Sequence, residues 1–225
     1  MDKDKKGSVY FIGIGGIGMS ALARWFLAHG YQISGSDLSP SSITKELENE
    51  GVRIFIGSHR VENLDLKAGR VIYNQAIAKD NPELQKAQSL KIPTSTYPEV
   101  IGELTKIYKT VAIAGAHGKS TTTSMVALIL EAAKLDPTVI LGTKLKEFGN
   151  KNFRNGKSDY LVLEADEWKA SFLHYFPYAV LITNIDREHL DFYKNLGEIK
   201  KTFLHSIENI HKYGLLVLNR DDKNL

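Results

Sequence analysis

Cysteine is absent from the 225 residues, which excludes disulfides and thiolate metal sites and fits a reducing compartment. Long apolar runs are absent as well, since no stretch approaches the roughly 18 apolar residues that a membrane span needs. The apolar run near the start breaks into glycines at Gly13, too early for the apolar core of a signal peptide. We therefore expect a cytoplasmic protein with no membrane association.

A large excess of charge of one sign is also absent. The formal net charge is only +3, from 29 basic and 26 acidic side chains, which is too weak an excess to indicate a nucleic-acid partner. The chain is 43% hydrophobic and 24% charged, an ordinary globular composition that can fill one large or two modest cores. No feature indicates an obligate protein partner, and we expect none.

What the chain does have is a regular alternation of β-rich apolar runs with helical patterns. Five predicted strands and four predicted helices precede residue 108, and the pattern then restarts with "KTVAIAG". A final helix is predicted over "IKKTFLHSIENIHKYG", before the strand "LLVLNRDD". Such alternation is typical of a parallel sheet with crossover helices. The predicted fold is α/β, with a Rossmann-like parallel-sheet domain over 1–107 and a P-loop-type α/β ATP-binding domain over 108–225, the latter incomplete.

The first glycine loop lies between the first strand and the first helix. Gly13, Gly15 and Gly18 fit the G-x-G-x-x-G pattern, and Gly16 adds a fourth glycine. The pattern permits a tight turn, close approach of a phosphate to the backbone, and close packing of the helix. Asp37 follows at the end of the second strand, where an acid can accept hydrogen bonds from a sugar hydroxyl. The loop predicts a diphosphate ligand, and a packing turn without a ligand is the alternative.

The second glycine loop, "GAHGKS" at 115–120, also joins a strand to a helix. A strict Walker A motif would need glycine where this chain has Ile113, but the end of the motif that contacts phosphates is present. Backbone N–H groups could surround phosphates, Lys119 could reach the β- and γ-phosphates, and Ser120 could bind Mg²⁺. The three threonines that follow are poor helix formers, which favours an anion site over a chance helix start.

Polar residues follow two later strands of this second domain. Glu164 ends an apolar strand, where a carboxylate could hold Mg²⁺, and Asn184, Asp186 and His189 lie just past another strand. Because ligands collect at the carboxyl ends of parallel strands, we expect Glu164 and His189 to converge on the second loop. An ordinary surface or helix-start histidine is the alternative for His189.

Two further acids lie beside that first strand end, in "LEADEW". We expect Asp166 and Glu167 to be solvated or capping acids rather than metal ligands.

Five stretches together resemble the Mur ligases of peptidoglycan synthesis: "FIGIGGIGMSALA", "SGSD", "AGAHGKSTTT", "LEADE" followed by "SFL", and "TNIDREHLD". The resemblance runs through essentially the whole chain with the motifs in order. The family's loop, G-[TA]-x-G-K-[ST], does not require glycine at position 113. Trp168 departs from the small or polar residue that the family often has there.

The resemblance implies roles for named residues. A UDP-sugar would be held by Gly13, Gly15, Gly16 and Gly18, with Ser36 and Asp37 near its nucleoside end. ATP would be bound by Gly115, Ala116, His117, Gly118, Lys119, Ser120, Thr121 and Asn184. Magnesium would be held by Ser120, Glu164 and His189, and the catalytic residues would be Lys119, Glu164 and His189.

The implied reaction is ATP-dependent ligation of L-alanine to UDP-N-acetylmuramate through an acyl phosphate. Because only the first domain and part of the central domain are matched, we expect UDP-sugar binding, weak ATP binding and no ligation by these 225 residues alone. A recycling ligase that adds a preformed tripeptide stays open as the alternative substrate class. A non-catalytic Rossmann module that senses a nucleotide stays open as an alternative of another class.

Overall fold

The computed structural model describes residues 6–225, which form two compact units. The first unit ends at Val100 and the second begins at Ile101. This division falls inside a helix, Tyr97–Ile107, and so lies earlier in the chain than the domain boundary expected after residue 107.

The first unit is a five-stranded parallel sheet with helical crossovers. Its elements are β1 (Ser8–Ile12), α1 (Ile17–Ala28), β2 (Gln32–Asp37), α2 (Ser42–Asn49), β3 (Arg53–Ile56), β4 (Arg70–Tyr73), α3 (Pro82–Ser89), β5 (Thr94–Thr96) and the start of α4 (Tyr97–Ile107). The strand order is β3-β2-β1-β4-β5, with β1 fully buried from Val9 onward. All five predicted strands are present.

Two helices of this unit begin at side-chain caps. Ser41 caps α2 by accepting a hydrogen bond from Thr44 N, and the Thr44 hydroxyl accepts one from Ser41 N in return. Asn81 caps α3 through Glu83 N and Leu84 N, with Pro82 at the first helical position. These caps satisfy the N–H groups that a helix start leaves without partners.

The second unit contains a six-stranded sheet. Its elements are β6 (Lys109–Ala114), α5 (Lys119–Ala132), β7 (Thr138–Leu145), β8 (Lys151–Arg154), β9 (Tyr160–Glu164), β10 (Ala179–Ile182), α6 (Leu196–Glu208) and β11 (Leu215–Leu218). The order is β11-β10-β6-β9-β7-β8. Ile113, Val139 and Val162 of three neighbouring strands meet Ala127 of α5 in the core.

The β7–β8 hairpin is the element that the sequence analysis missed. β7 pairs parallel with β9 but antiparallel with β8, so the second sheet is mixed. Gly149 and Asn150, both with positive φ, form the turn. The predicted final helix is present, but it begins and ends earlier than predicted, because Asn195 caps α6 and the helix ends at Glu208.

One edge of the second sheet is apolar and exposed. Among the strands of residues 6–225, β11 pairs with β10 only, and all four of its side chains, Leu215 to Leu218, are exposed. Within residues 6–225, no helix combines the length and the hydropathy needed to cross a membrane.

Candidate active site

The first glycine loop is held by the end of the neighbouring strand. The Ser36 carbonyl at the end of β2 accepts hydrogen bonds from Gly13 N at 2.8 Å and Ile14 N at 3.1 Å. Gly13 has φ +79°, a left-handed conformation that favours glycine. The loop is therefore fixed at the carboxyl edge of the sheet, where α/β proteins bind ligands.

Asp37 contacts the same loop through its side chain. Its Oδ2 accepts a hydrogen bond from Gly15 N at 2.8 Å, and its Oδ1 lies 3.3 Å from Ser39 N. A Cβ added at Gly15 would lie 2.8 Å from Asp37 Oδ2. A side chain at position 15 would therefore displace the Asp37 carboxylate.

The remaining two glycines, Gly16 and Gly18, lie at the start of α1. Gly16 is the N-cap residue of α1, where no side chain among the described residues caps the helix. A Cβ at Gly18 would lie 2.8 Å from the Tyr97 ring. The third glycine of the motif was predicted to let the helix pack closely on the strand, and the close neighbour of Gly18 is instead the Tyr97 ring at the start of α4.

Ser36 lies in a buried polar network rather than at the surface. Its hydroxyl donates to Glu83 Oε2 at 2.5 Å and lies 3.1 Å from His59 Nδ1. The Glu83 carboxylate, fully buried, also accepts from Asn63 Nδ2 at 2.8 Å and from Arg60 N at 3.2 Å. Glu83 and His59 were not among the predicted site residues, because an acid in the first turn of a helix is usually only a surface group.

The second glycine loop depends on two glycines with positive φ. Gly115 is buried at φ +131°, and a Cβ there would clash with the Thr183 hydroxyl. Gly118, at φ +79°, is the N-cap residue of α5. Asn184 holds the segment between them, since its side chain accepts from His117 N at 2.8 Å and donates to His117 O at 2.9 Å.

Lys119 folds back over its own loop. Its Nζ donates to Gly115 O at 2.7 Å, Ala116 O at 3.2 Å and Glu167 Oε1 at 3.1 Å. A lysine at the start of a helix whose ammonium lies against the loop backbone is placed where a bound phosphate would meet it.

Ser120 and Glu164 form a pair of oxygen donors. The Ser120 hydroxyl donates to Glu164 Oε1 at 2.8 Å, and Glu164 Oε2 accepts from Gly142 N at 2.7 Å. Gly142 lies on β7, the strand that the sequence analysis did not predict, and a Cβ there would lie 2.7 Å from Glu164 Oε1. This pair offers the hydroxyl and carboxylate oxygens that Mg²⁺ prefers.

Strand register explains why these residues meet. β6, which leads into the second loop, lies between β9 and β10. Ile113 pairs with Glu164, and Ala114 pairs with Ile182. The loop after β6 is therefore flanked by the residues that follow β9 and β10, as expected for side chains at the carboxyl ends of neighbouring parallel strands.

Glu167 is the residue whose environment the sequence analysis judged wrongly. It is not solvated, since its side chain is only 3% exposed and lies between Lys119 and His189. His189 Nε2 lies 3.5 Å from Glu167 Oε1 and 3.8 Å from Asp166 Oδ1. One ligand atom from each of these three residues lies within 4.8 Å of the others, so the group could hold a metal ion.

Burial and a neighbouring ammonium act in opposite directions on the pKa of Glu167. Desolvation raises the pKa of the Glu167 carboxyl, and the neighbouring Lys119 ammonium opposes that rise. Asp166 behaves as expected, because it is exposed and its Oδ1 accepts a hydrogen bond from Trp168 N at 3.0 Å. Of the two acids after β9, Asp166 is exposed and accepts a hydrogen bond within a turn, whereas Glu167 is buried.

Two predicted ATP residues, His117 and Thr121, are exposed at the rim of the loop. His117 Nε2 lies 3.5 Å from Asp186 Oδ2, and His117 Nδ1 lies 3.3 Å from Glu188 Oε1. A hydrogen bond from Arg187 N, aided by His117, lowers the pKa of Asp186. Asp186 therefore contacts His117 at the rim of the loop.

Comparison with known proteins places the whole described chain in one family. Residues 8–109 match the family model described as Mur ligase family, catalytic domain. Residues 113–225 match the model described as Mur ligase middle domain.

Individual relatives agree. The UDP-N-acetylmuramate–L-alanine ligase of Clostridium botulinum is 46% identical over 99% of this chain and 48% of its own length. The ligase of the same name from Aquifex aeolicus is 47% identical over 96% of this chain and 47% of its own length. The chain therefore spans about half the length of the curated relatives that it matches.

Two solved structures resemble the fold closely. The UDP-N-acetylmuramate–alanine ligase of Thermotoga maritima has a TM-score of 0.88 at 30% identity, covering 97% of this chain and 50% of that one. The UDP-N-acetylmuramate:L-alanyl-γ-D-glutamyl-meso-diaminopimelate ligase of Neisseria meningitides has a TM-score of 0.89 at 27% identity, covering 97% and 72%.

Proposed function

Because this chain belongs to the Mur ligase family, we propose that it supplies the UDP-sugar-binding and ATP-binding parts of a ligase that joins L-alanine to UDP-N-acetylmuramate. The names of the curated relatives at 46% and 47% identity support this choice. Since the chain spans about half of their length, complete ligation is proposed for these residues acting with the remainder that the relatives carry.

In this proposal the first loop binds the diphosphate of UDP-N-acetylmuramate. Support comes from the position of Gly13 to Gly18 at a helix start and a sheet edge, where N–H groups favour an anion. Asp37 would orient the loop through Gly15 and face the nucleoside end. Ser36 would act by holding the loop through its carbonyl, because its side chain is buried.

The second loop would bind ATP. The backbone from Gly115 to Ser120 would surround the phosphates. The Lys119 ammonium would give up a hydrogen bond to a loop carbonyl and donate to a phosphate oxygen instead. Asn184 would keep the loop in shape through His117, while Ala116 N is held by the Asn184 carbonyl at 3.1 Å. Thr121, exposed on the first turn of α5, would lie within reach of the nucleotide.

Magnesium fits the donors that are present. Ser120 and Glu164 would hold one ion, and His189 with the neighbouring Glu167 would hold a second. The ions would offset charge on the transferring phosphoryl group. Glu164 is oriented for this task by Gly142 N, and His189 by its contacts with Glu167 and Asp166.

The reaction divides into two balanced steps. A carboxylate oxygen of the muramic lactyl group attacks the γ-phosphorus of ATP, the bond to the β-phosphate oxygen breaks, and ADP leaves. The amine of L-alanine then attacks the acyl carbon, phosphate leaves, and the amine loses a proton to give the amide. Lys119 would stabilise negative charge during the first step, which is mainly a task of positioning and electrostatics.

The observation that carries this proposal is the meeting of Lys119, Ser120 and Glu164 at one sheet edge. Calorimetric titration of the 225-residue chain with UDP-N-acetylmuramate and with MgATP tests it. We expect one site for each, with ATP the weaker ligand. Failure to bind UDP-N-acetylmuramate would overturn the proposal.

A second substrate class has support from the structure of the Neisseria meningitides ligase, whose name specifies a tripeptide. With these residues joined to the remainder that the relatives carry, release of phosphate from ATP in the presence of UDP-N-acetylmuramate can be measured with L-alanine or with L-alanyl-γ-D-glutamyl-meso-diaminopimelate. Release that depends on L-alanine supports the first candidate, and release that depends on the tripeptide supports the second.

A further inference from the structure

Tyr193 is bonded to the backbone of two candidate site residues at once. Its phenol hydroxyl donates to the Glu167 carbonyl at 2.6 Å, and its backbone N–H donates to the His189 carbonyl at 2.9 Å. The side chain is buried, with 3% of the residue exposed. Glu167 follows β9 and His189 follows β10, two strands that are separated by β6. Tyr193 therefore joins the two segments that flank the second glycine loop.

Both segments have backbone conformations that need outside support. His189 has φ +54°, and Lys169 and Ala170, just after Glu167, have φ +48° and +56°. Left-handed conformations of residues other than glycine cost of order 1 kcal/mol each and persist only where neighbours hold them. The Glu167 carbonyl accepts hydrogen bonds from the Tyr193 hydroxyl and from Ala170 N, the latter at 3.0 Å. The Tyr193 hydroxyl is therefore bonded directly to the turn that contains Lys169 and Ala170.

A second hydrogen bond between the segments is longer and more exposed. Trp168 Nε1 donates to Asp191 Oδ2 at a long 3.4 Å. A short buried hydrogen bond is stronger and less screened by water than a long one at the surface. The hydrogen bond of Tyr193 is thus the stronger of these two.

We propose that Tyr193 is a positioning residue for a divalent cation, which fixes the Glu167 carboxylate opposite the His189 imidazole at 3.5 Å. This inference rests on the proposed function, in which these residues hold a cation beside ATP. Tyr193 does not contact the ion. It acts on the backbone that carries each of the two side chains, as the outer partners of metal ligands do.

The test is Tyr193→Phe, which removes the hydroxyl and keeps the ring and its edge-on contact with Phe192 at 4.9 Å. Mn²⁺ binding in the presence of ATP is measured by electron paramagnetic resonance, and ATP binding without a cation by calorimetry. We expect Mn²⁺ affinity to fall about 10-fold, the usual effect of losing an outer partner, and cation-free ATP affinity to stay unchanged. Tyr213→Phe, at a 73% exposed position, is the matched control and should change neither.

A second readout needs no ligand. Nitrogen–proton correlation spectra of the imidazole rings should show a shifted His189 signal in Tyr193→Phe, with His174 and His205 unmoved. Unchanged Mn²⁺ affinity together with an unchanged His189 signal overturns the inference. Equal losses of Mn²⁺ and cation-free ATP affinity, with a lowered unfolding temperature, overturn it too, because they indicate a purely structural role. If the unsubstituted chain binds neither ATP nor Mn²⁺, the proposed function fails, and the His189 signal still decides the role of Tyr193.

Discussion

The Lys119 ammonium lies 3.1 Å from both carboxylate oxygens of Glu167. The Lys119 side chain is 15% exposed and the Glu167 side chain only 3%, so this is an ion pair largely removed from water. Removing one partner of such a pair leaves a buried charge without compensation and is strongly destabilising. Any test of Lys119 must therefore separate its role toward phosphate from its role toward Glu167.

Lys119→Ala should abolish ATP binding and leave the affinity for UDP-N-acetylmuramate nearly unchanged. In the hydrogen bonds described above for residues 6–225, Lys119 is the only residue whose ammonium contacts the second loop. The substitution removes that ammonium. Calorimetric titration with each ligand measures both effects.

The double variant Lys119→Ala, Glu167→Gln controls for stability, because it leaves no buried carboxylate unpaired. It should recover part of the free energy of unfolding and none of the ATP affinity. Lys146→Ala, at an exposed position of the β7–β8 hairpin, should bind ATP normally. ATP affinity that returned in the double variant would contradict a direct role of Lys119.

Gly15→Ala should weaken UDP-N-acetylmuramate binding by displacing the Asp37 carboxylate, which an added Cβ would approach to 2.8 Å. Gly69→Ala is the matched control in the same unit, because a Cβ there meets its nearest atom at an ordinary 3.6 Å and φ is not positive. Titration with UDP-N-acetylmuramate measures the difference between the two variants. Equal affinities would show that the position of Asp37 does not matter for this ligand.

Asp136→Asn should lower stability at neutral pH. The Arg154 guanidinium donates to Asp136 at 2.7 Å and holds the pKa of that carboxyl below its ordinary value of 3.8. A lowered pKa in the folded state contributes stability that is present above the unfolded value and lost as pH falls through the folded one. The difference in free energy of unfolding between the two proteins should thus be constant at neutral pH and vanish under acid conditions.

Urea denaturation at several pH values measures that difference. Asn is a fair replacement because it tolerates the left-handed conformation of Asp136, φ +43°. A difference that grew as pH fell below 3.8 would contradict the assignment of the lowered pKa to the Arg154 pair.

UDP-N-acetylmuramate should raise the unfolding temperature of the chain, and NADH should not. A ligand that binds only the folded state at one hundred times its Kd adds about 2.7 kcal/mol to the free energy of unfolding. A thermal-shift measurement with each compound distinguishes the sugar-nucleotide site from a nicotinamide-type sensor. A shift with NADH alone would favour the sensor.

Local patterns were enough to predict the first sheet and four strands of the second, β6, β9, β10 and β11. Periodicity and turn residues carry that information in short windows, and the meeting of Ser120 with Glu164 follows from their places at the ends of neighbouring parallel strands. The roles assigned to individual glycines, Asp37 and Asn184 remain predictions about ligands.

Other features depend on contacts between distant segments. Glu167 lies buried between Lys119 and His189, and nothing in "LEADEW" encodes either contact. Glu83 belongs to the same class, since its partner Ser36 lies 47 positions away. Of the two strands of the missed β7–β8 hairpin, β8 is short, lies at the sheet edge and carries charge at both ends, Lys151 and Arg154, as edge strands commonly do. β7 is eight residues long and lies inside the sheet, and its apolar run is interrupted by Gly142.

The exposed edge at β11 has a practical consequence for every experiment on this chain. An uncovered strand edge presents backbone donors and acceptors to other molecules, and apolar side chains at Leu215 to Leu218 strengthen lateral pairing. Aggregation of the 225-residue chain should therefore rise steeply with protein concentration and begin at this edge. A charged residue placed on β11, as in Val217→Lys, should keep concentrated samples monodisperse.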